Sequence, residues 1–389
     1  MKLVTVVLSC IAVWSSTVSA QDRLPTRTLN ELLSRSEAAV IGAPAEVATE
    51  ASPAGVSKAP FTTMRLIKDD DSVDQDAVVL AKCRLRDLSG DRFLLLRSKD
   101  RDGTLRWMVK QALSDETVQH LVVLSKTEFR GVERLKFFYD FLEHSDPIIS
   151  GNADLEFLLA SDETFASFGR RLEAAQIRER LVQEKLPVHR RRLYLAMLAK
   201  CGAASDAGWI ERQLEKPDDK SGTLDAYLAA YLALKGEAGL EFLEERYLTG
   251  ANVDFWLTYS AILALRFASD HPELGIAAHR LRQSHRLVLD NPQLLDIAIH
   301  SLALVKDWSS MDRIVDLGKA SEDPTIHMAT INFLRRCPGE NANQNLREMA
   351  RRYPKVFQRS ITFFPDSALK TNGESKAASI RWTGRPAGC

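Results

Sequence analysis

The spacing of apolar residues changes twice along the chain and divides it into three parts. The first residues after Lys2 are mostly apolar, from Leu3 to Trp14. Residues 36–128 carry short runs rich in β-branched and aromatic side chains, which predict strands. From there to residue 356, apolar residues recur at spacings of three and four, as on one face of a helix. The pattern therefore predicts an α+β multidomain chain in which a small antiparallel β-barrel-like domain precedes a helical array.

The first 20 residues have the pattern of a signal peptide. Lys2 supplies a positive start, an apolar run of 12 residues follows, and a polar region leads to Val18-Ser19-Ala20. This tripeptide places small residues at the −3 and −1 positions of a cleavage site. Twelve residues are too few to span a bilayer as a helix. We therefore expect export, periplasmic or secreted, after cleavage near Ala20. Two alternatives remain, a buried N-terminal helix and lipoprotein anchoring at Cys10, because Val7-Leu8-Ser9-Cys10 resembles a lipoprotein cleavage box.

Residues 21–35 are a polar lead with a helical pattern, and a small β domain follows over residues 36–128. A Pro/Gly/Ser loop is predicted from Ser52 to Pro60, and Asp102-Gly103 between two apolar runs predicts a hairpin. The predicted strands are Ala39–Gly42, Phe61–Ile67, Ala77–Leu85, Arg92–Arg97 and Leu105–Val109. Five short strands favour a small antiparallel sheet or barrel.

Two segments carry a resemblance to exported barrels of the oligonucleotide/oligosaccharide-binding and netrin-module type. They are Ala38-Ala39-Val40-Ile41-Gly42 and Gly90-Asp91-Arg92-Phe93-Leu94-Leu95-Leu96. The resemblance implies a small barrel, for which ligand or glycan binding is an alternative function. The paired cysteines of animal netrin modules are absent, so no inhibitor activity is implied.

The helical part repeats one pattern, an apolar helix, a break and an amphipathic helix. Residues 129–186 are expected to form an irregular cap, residues 187–356 the repeats, and residues 357–389 a basic, disordered tail. The first helices are centred on Leu193–Gly202, Tyr227–Gly236, Tyr259–Arg266, Ile297–Leu304 and Ala329–Leu334, and the second on Ala207–Leu214, Ala238–Tyr247, Leu274–Arg282, Met311–Gly318 and Asn345–Arg352. This pattern resembles a HEAT-type α-solenoid, with tetratricopeptide-like helices as the alternative. The resemblance implies that partners bind along a concave face.

Composition and cysteine spacing argue against several classes of function. The chain has 52 basic and 52 acidic side chains, and this balance argues against nucleic-acid binding. No later stretch predicts a transmembrane span. The cysteines after the leader (Cys83, Cys201, Cys337 and Cys389) are widely scattered without a CxxC spacing, so neither a zinc site nor a dithiol is predicted. A Cys201–Cys337 disulfide is not expected, because these residues lie in distant repeats.

No catalytic, cofactor or metal signature is present in the sequence, and we predict no catalytic residue, no cofactor and no metal site. The acidic run Asp69–Asp76 is interpreted as a solvated loop, with calcium as the alternative. His271, His279 and His285 are interpreted as surface histidines. Trp209, Trp256 and Trp308 are interpreted as core residues.

Charge on the repeats predicts a binding face. One second helix is acidic, and Glu237 is one of its glutamates. The next second helix is basic, and Arg280 is one of its arginines. The candidate partner-binding residues are Arg190, Arg191, Glu241, Glu244, Glu245, His279, Arg282, Arg347 and Arg351. The resulting hypothesis is an exported scaffold that binds protein partners in the envelope or extracellular space, with the oligomeric state left open. Its alternatives are an enzyme or enzyme subunit of the lyase or glycosylase type, and ligand binding by the barrel.

Overall fold

The computed structural model describes residues 27–45, 57–68, 74–83, 90–100, 102–216, 220, 222–249 and 254–364. The chain divides into two compact units, with the boundary between Phe168 and Gly169. The predicted signal peptide, most of the acidic run and the end of the predicted tail lie outside the described residues. Across the described ranges, no helix has the length and apolar character needed to cross a membrane.

The first unit contains a closed five-stranded barrel with the strand order β1-β2-β3-β5-β4. Four of its neighbouring strand pairs are antiparallel, and the β3–β5 pair, with Ala81 opposite Trp107, is parallel. The strands are β1 (Ala38–Pro44), β2 (Ser57–Lys68), β3 (Val78–Cys83), β4 (Phe93–Lys99) and β5 (Leu105–Ala112). The predicted α+β architecture, a small barrel followed by helices, is confirmed. The loop predicted up to Pro60 is wrong from Ser57 onward, because β2 begins there and pairs with β3.

Alternation of side chains across the strands produces the barrel core. Val40, Phe61, Phe93 and Leu95 are buried together, and the rings of Phe61 and Phe93 meet edge to face at 5.7 Å. The hairpin predicted at Asp102-Gly103 joins β4 to β5. Gly103 has φ +80°, which only a residue without a Cβ adopts without strain.

Helix α1 (Leu29–Arg35) precedes the barrel and lies in the lead that was predicted to be helical. Helix α2 (Asp115–Lys126) follows the barrel and begins earlier than predicted, within the range assigned to the β domain. Ser114 caps α2 by accepting a hydrogen bond from the Thr117 amide. The remaining helices that begin in the first unit are α3 (Gly131–Tyr139), α4 (Pro147–Leu158) and α5 (Asp162–Gly169).

The second unit consists of helix pairs in two layers. The first helices are α7 (Val188–Cys201), α9 (Leu224–Lys235), α11 (Phe255–Asp270), α13 (Leu295–Leu304) and α15 (Pro324–Arg336), and each packs beside the next. The second helices are α8 (Ala204–Glu215), a composite helix over residues 236–248, α12 (Ala278–Leu287), α14 (Met311–Ala320) and α16 (Glu340–Arg352), with α6 (Ala174–Leu181) before the pairs and α17 (Pro354–Phe363) after them. The composite helix is a 3₁₀ turn (Gly236–Gly239), α10 (Leu240–Leu243) and a π turn (Glu244–Leu248).

The apolar faces of the first helices form the core of this unit. Tyr194, Tyr231 and Phe333 are fully buried there. Because each helix covers the apolar face of its neighbour, the pairs stabilise one another along the stack. The Asp323-Pro324 helix start is confirmed, since Asp323 caps α15 by accepting a hydrogen bond of 2.8 Å from the Thr325 amide.

Several assignments of single residues need correction. His271 and His285 are each 1% exposed, because both face the interior of the helix pairs and not the surface. Trp256 is 57% exposed, whereas it was expected in the core. Residues 357–363, assigned to the tail, belong to α17.

Cys201 and Cys337, for which no disulfide was expected, are free cysteines in the part of the chain that the structure describes.

Candidate partner-binding groove

A groove lies between the composite helix and the neighbouring second helix, α12. Its volume is about 640 Å³, and half of its lining residues are glutamates. The lining residues are Glu237, Ala238, Glu241, Glu244, Glu245, Thr249, Arg280 and Leu287. Four carboxylates face one guanidinium, so the groove has an excess of three negative charges when its carboxyl groups are ionised.

Helix geometry explains why the glutamates meet on one wall. Residues three or four positions apart lie on the same side of a helix, and Glu237, Glu241 and Glu245 follow that spacing. The π turn at the end of the helix is closed by a hydrogen bond of 2.9 Å from the Thr249 amide to the Glu244 carbonyl oxygen. This extra residue in the turn brings Thr249 into the groove lining beside the carboxylates.

Glu244 and Arg280 form the floor of the groove and join the two helices. The Arg280 guanidinium donates two hydrogen bonds, of 2.5 and 2.6 Å, to the two Glu244 carboxylate oxygens. The Ser284 hydroxyl donates a third, of 2.6 Å. Burial alone would raise the pKa of Glu244, but the hydrogen bonds from Arg280 and Ser284 lower it below its ordinary value. The hydrogen bond to Glu244 correspondingly raises the pKa of Arg280.

The other glutamates of the groove are exposed to solvent. Glu237 accepts a hydrogen bond of 3.2 Å from the Ala277 amide, which ties the entrance of the groove to the start of α12. Glu241 and Glu245 are exposed on the wall of the groove. Their charges are therefore available to a cationic group that enters.

The structure brings together three of the nine candidate residues, namely Glu241, Glu244 and Glu245. Of the two charged residues that accompanied them in the sequence pattern, Glu237 and Arg280, both line the groove. The spacing of four between the glutamates was the signal that placed them on one face. Thr249 and Leu287 were missed, because nothing in their sequence surroundings predicts the π turn or the angle of α12.

The other six candidates lie outside this groove. Arg190 and Arg191 are half-buried in the first turns of α7. On α12, His279 is exposed and Arg282 is half-buried. On α16, Arg347 and Arg351 are exposed, and Arg347 donates a hydrogen bond of 2.6 Å to Glu340. A single surface running from negative to positive through all nine residues remains a prediction.

Among the residues that the structure describes, no group of three or more His, Cys, Asp or Glu side chains is arranged to hold a metal ion. The Ser284 hydroxyl, which lies next to the groove, donates its hydrogen bond to Glu244. The arrangement can bind a cation or a chain of donors. No family model, no curated protein and no solved structure matches this chain.

Proposed function

We propose that this chain is an exported scaffold protein that binds a polypeptide partner through its helical repeats. The observation that carries the proposal is the acidic groove between the composite helix and α12. The signal-peptide pattern of residues 1–20 supports export, and the two-layer stack of helix pairs supports assignment to the HEAT-type solenoids. Catalysis has no part in the proposal.

The chemistry of the groove favours a basic segment of a protein as the ligand. Ala238 and Leu287 give the groove apolar surface, and the exposed Glu241 and Glu245 line the same groove. A lysine or arginine side chain complements this lining, because its aliphatic stem packs on apolar surface while its charged end binds a carboxylate. Charges of this kind mainly set partner choice and association rate. We therefore expect affinity to fall as salt concentration rises.

The test is crosslinking and affinity capture of the mature chain from envelope and extracellular extracts, followed by binding measurements with the purified partner. The variant is Glu241→Lys with Glu245→Lys, which reverses the charge of the groove wall. The matched control is Glu273→Lys with Glu322→Lys, because both residues are exposed and lie outside the groove. We expect the groove variant to lower affinity by about tenfold or more, and the control by less than about twofold.

Equal binding by the two variants would overturn the assignment of the groove. Retention of the signal peptide on the chain isolated from cells would overturn export.

A second candidate function is ligand or glycan binding by the barrel. It is favoured by the strand order of the closed barrel, in which β3 pairs in parallel with β5, as in oligonucleotide/oligosaccharide-binding barrels. Glycan binding by the intact chain that survives reversal of the groove charge would favour this candidate over the scaffold.

A further inference from the structure

A second group of charged residues lies on the first helices, away from the acidic groove. Arg266, His300 and Arg336 belong to α11, α13 and α15, three successive first helices that pack side by side. The charge on Arg266 and that on Arg336 both act on His300, and the charge on Arg266 also acts on Arg336. The three side chains therefore form one cluster, which we call the first-helix basic cluster.

The cluster has no negative partner among the described residues. Neither guanidinium forms an ion pair or a hydrogen bond with any of them, and Nε of Arg336 is buried without an acceptor. Other arginines of the same unit are satisfied by carboxylates. Arg192, Arg280 and Arg286 each bind a carboxylate through two nitrogens.

An arrangement of this kind is costly in the unliganded protein. Arg266 and Arg336 are only half-exposed, and burial of an unpaired charge is unfavourable. The effect is visible at Arg336, where burial first, and then the charges of Arg266 and Arg335, lower the pKa. An oxyanion placed between the helices would remove both the repulsion and the unmet hydrogen-bonding capacity.

Arg335, the neighbour of Arg336 in sequence, binds Ser360 on α17. Its guanidinium donates to the carbonyl oxygen of Ser360 at 2.9 Å and to the hydroxyl of Ser360 at 2.8 Å. Arg335 thus ties α15 to α17 and leaves Arg336 as the arginine of this helix that faces the cluster.

We propose that Arg266, His300 and Arg336 bind the phosphoryl group of a phosphorylated ligand. This site is independent of the acidic groove and of the function proposed for it. The two arginines supply guanidinium donors from α11 and α15, and the imidazole belongs to α13, the helix between these two in the row of first helices. Arginine is suited to this role because its planar guanidinium donates two hydrogen bonds to one oxyanion.

Charge selects a doubly charged anion over a singly charged one. Crowding by neighbouring side chains first, and then the charges of Arg266 and Arg336, lower the pKa of His300, whose side chain keeps an exposed part, so the ring is neutral at pH 7. The cluster then has two positive charges, which a phosphate dianion balances. A carboxylate leaves one charge uncompensated. Binding of the dianion should raise the pKa of His300, because the new negative charge favours the imidazolium.

The experiment measures binding of inorganic phosphate to the mature chain by calorimetry, with sodium chloride of equal ionic strength as the reference. The variants are Arg266→Gln and Arg336→Gln, and the control is Arg212→Gln, an exposed arginine of the second-helix layer. We expect each cluster variant to weaken phosphate binding by about tenfold or more, and the control to leave it within about twofold. Acetate should bind at least about tenfold more weakly than phosphate.

Two further readouts separate binding from a purely structural role. Without phosphate, Arg266→Gln should melt at the same temperature as the wild type or above it, because the substitution removes repulsion. In NMR titrations, phosphate should raise the pKa of His300 in the wild type by about one unit or more, and not in Arg336→Gln. Absence of phosphate binding by the wild type, or binding by Arg266→Gln and Arg336→Gln equal to that of the wild type, would overturn the proposal.

The source of the phosphoryl group is distinguished by a third comparison. A phosphoserine peptide and free O-phosphoserine are titrated against the wild type and against Arg336→Gln. Tighter binding of the peptide that is lost in the variant assigns the site to a protein-borne phosphate. Equal binding of both assigns it to a free phosphate monoester.

Discussion

The guanidinium of Arg192 on α7 and the carboxylate of Asp225 on α9 form a two-point pair across successive first helices. The two hydrogen bonds measure 2.7 and 2.5 Å, and the side chains are 5% and 11% exposed. Arg192 also donates a hydrogen bond of 2.6 Å to the carbonyl oxygen of Gly222, which lies just before α9. The pair therefore fixes the register of two neighbouring repeats inside a mostly apolar layer.

Loss of one partner of this pair should be more damaging than loss of both. We predict that Asp225→Asn lowers the free energy of unfolding by about 3 kcal/mol, because Arg192 is left buried with its charge uncompensated. The double variant Arg192→Met with Asp225→Leu should be less destabilised than the single variants Arg192→Met and Asp225→Leu added together. Urea unfolding of the four proteins in a double-mutant cycle measures this; strict additivity would contradict the prediction.

The Glu244–Arg280 pair should make stability depend on acidity. Because hydrogen bonds from Arg280 and Ser284 outweigh burial and lower the pKa of Glu244 below 4.5, the unfolded chain binds a proton there more readily than the folded chain. The contribution is therefore complete above about pH 4.5 and is lost as the pH falls through the folded-state pKa. Unfolding of Glu244→Gln across pH 3 to 6 should show a shallower acid limb than the wild type. Parallel acid limbs would contradict this.

Buried His285 should destabilise the second unit in mild acid. Burial first, and the charge of Arg266 second, lower its pKa from 6.5 to about 3. The unfolded chain then takes up a proton below pH 6.5 that the folded chain excludes, so stability falls between pH 6.5 and 3, by about 2 kcal/mol at pH 5. We predict that His285→Leu reduces this loss. The comparison of melting temperatures at pH 7 and pH 5 checks it, with His279→Leu as the exposed control.

Gly318 allows α14 and α15 to approach closely. A methyl group on this residue would lie 2.5 Å from Oγ1 of Thr330 and 2.9 Å from its Cγ2. We predict that Gly318→Ala lowers stability by about 1–3 kcal/mol, because Thr330 is buried and cannot move away without displacing α15. Combining it with Thr330→Ala should recover part of the loss. Thermal unfolding of the single and double variants tests both statements.

Local signals in the sequence predicted the parts of the fold that depend on a few adjacent residues. The turn at Asp102-Gly103 and the helix start at Asp323-Pro324 are set by backbone preferences that act within one turn. The β3–β5 parallel pair depends on residues far apart in the chain, so spacing alone did not reveal it. His285 was misjudged for the same reason, since its surroundings come from α11 and α13 as well as from its own helix.

The acidic groove was likewise predictable only in the part that depends on residues close together in the chain. Periodicity placed Glu241 and Glu245 on one face, but it could not show that Arg280 neutralises Glu244 from the next repeat. The first-helix basic cluster escaped notice for a related reason. Arg266, His300 and Arg336 are separated by more than 30 residues each along the chain, and only the packing of three helices brings them together.

The layer of second helices is joined largely by charged pairs. Besides Glu244–Arg280, an ion pair links Arg178 on α6 to Asp206 on α8, and another, of 2.8 Å, links Lys319 on α14 to Glu348 on α16. In each of these pairs at least one side chain is partly exposed, so the pair can open and be hydrated without exposing apolar surface to water. We therefore expect the repeats to separate more readily along the second helices than along the apolar layer of first helices.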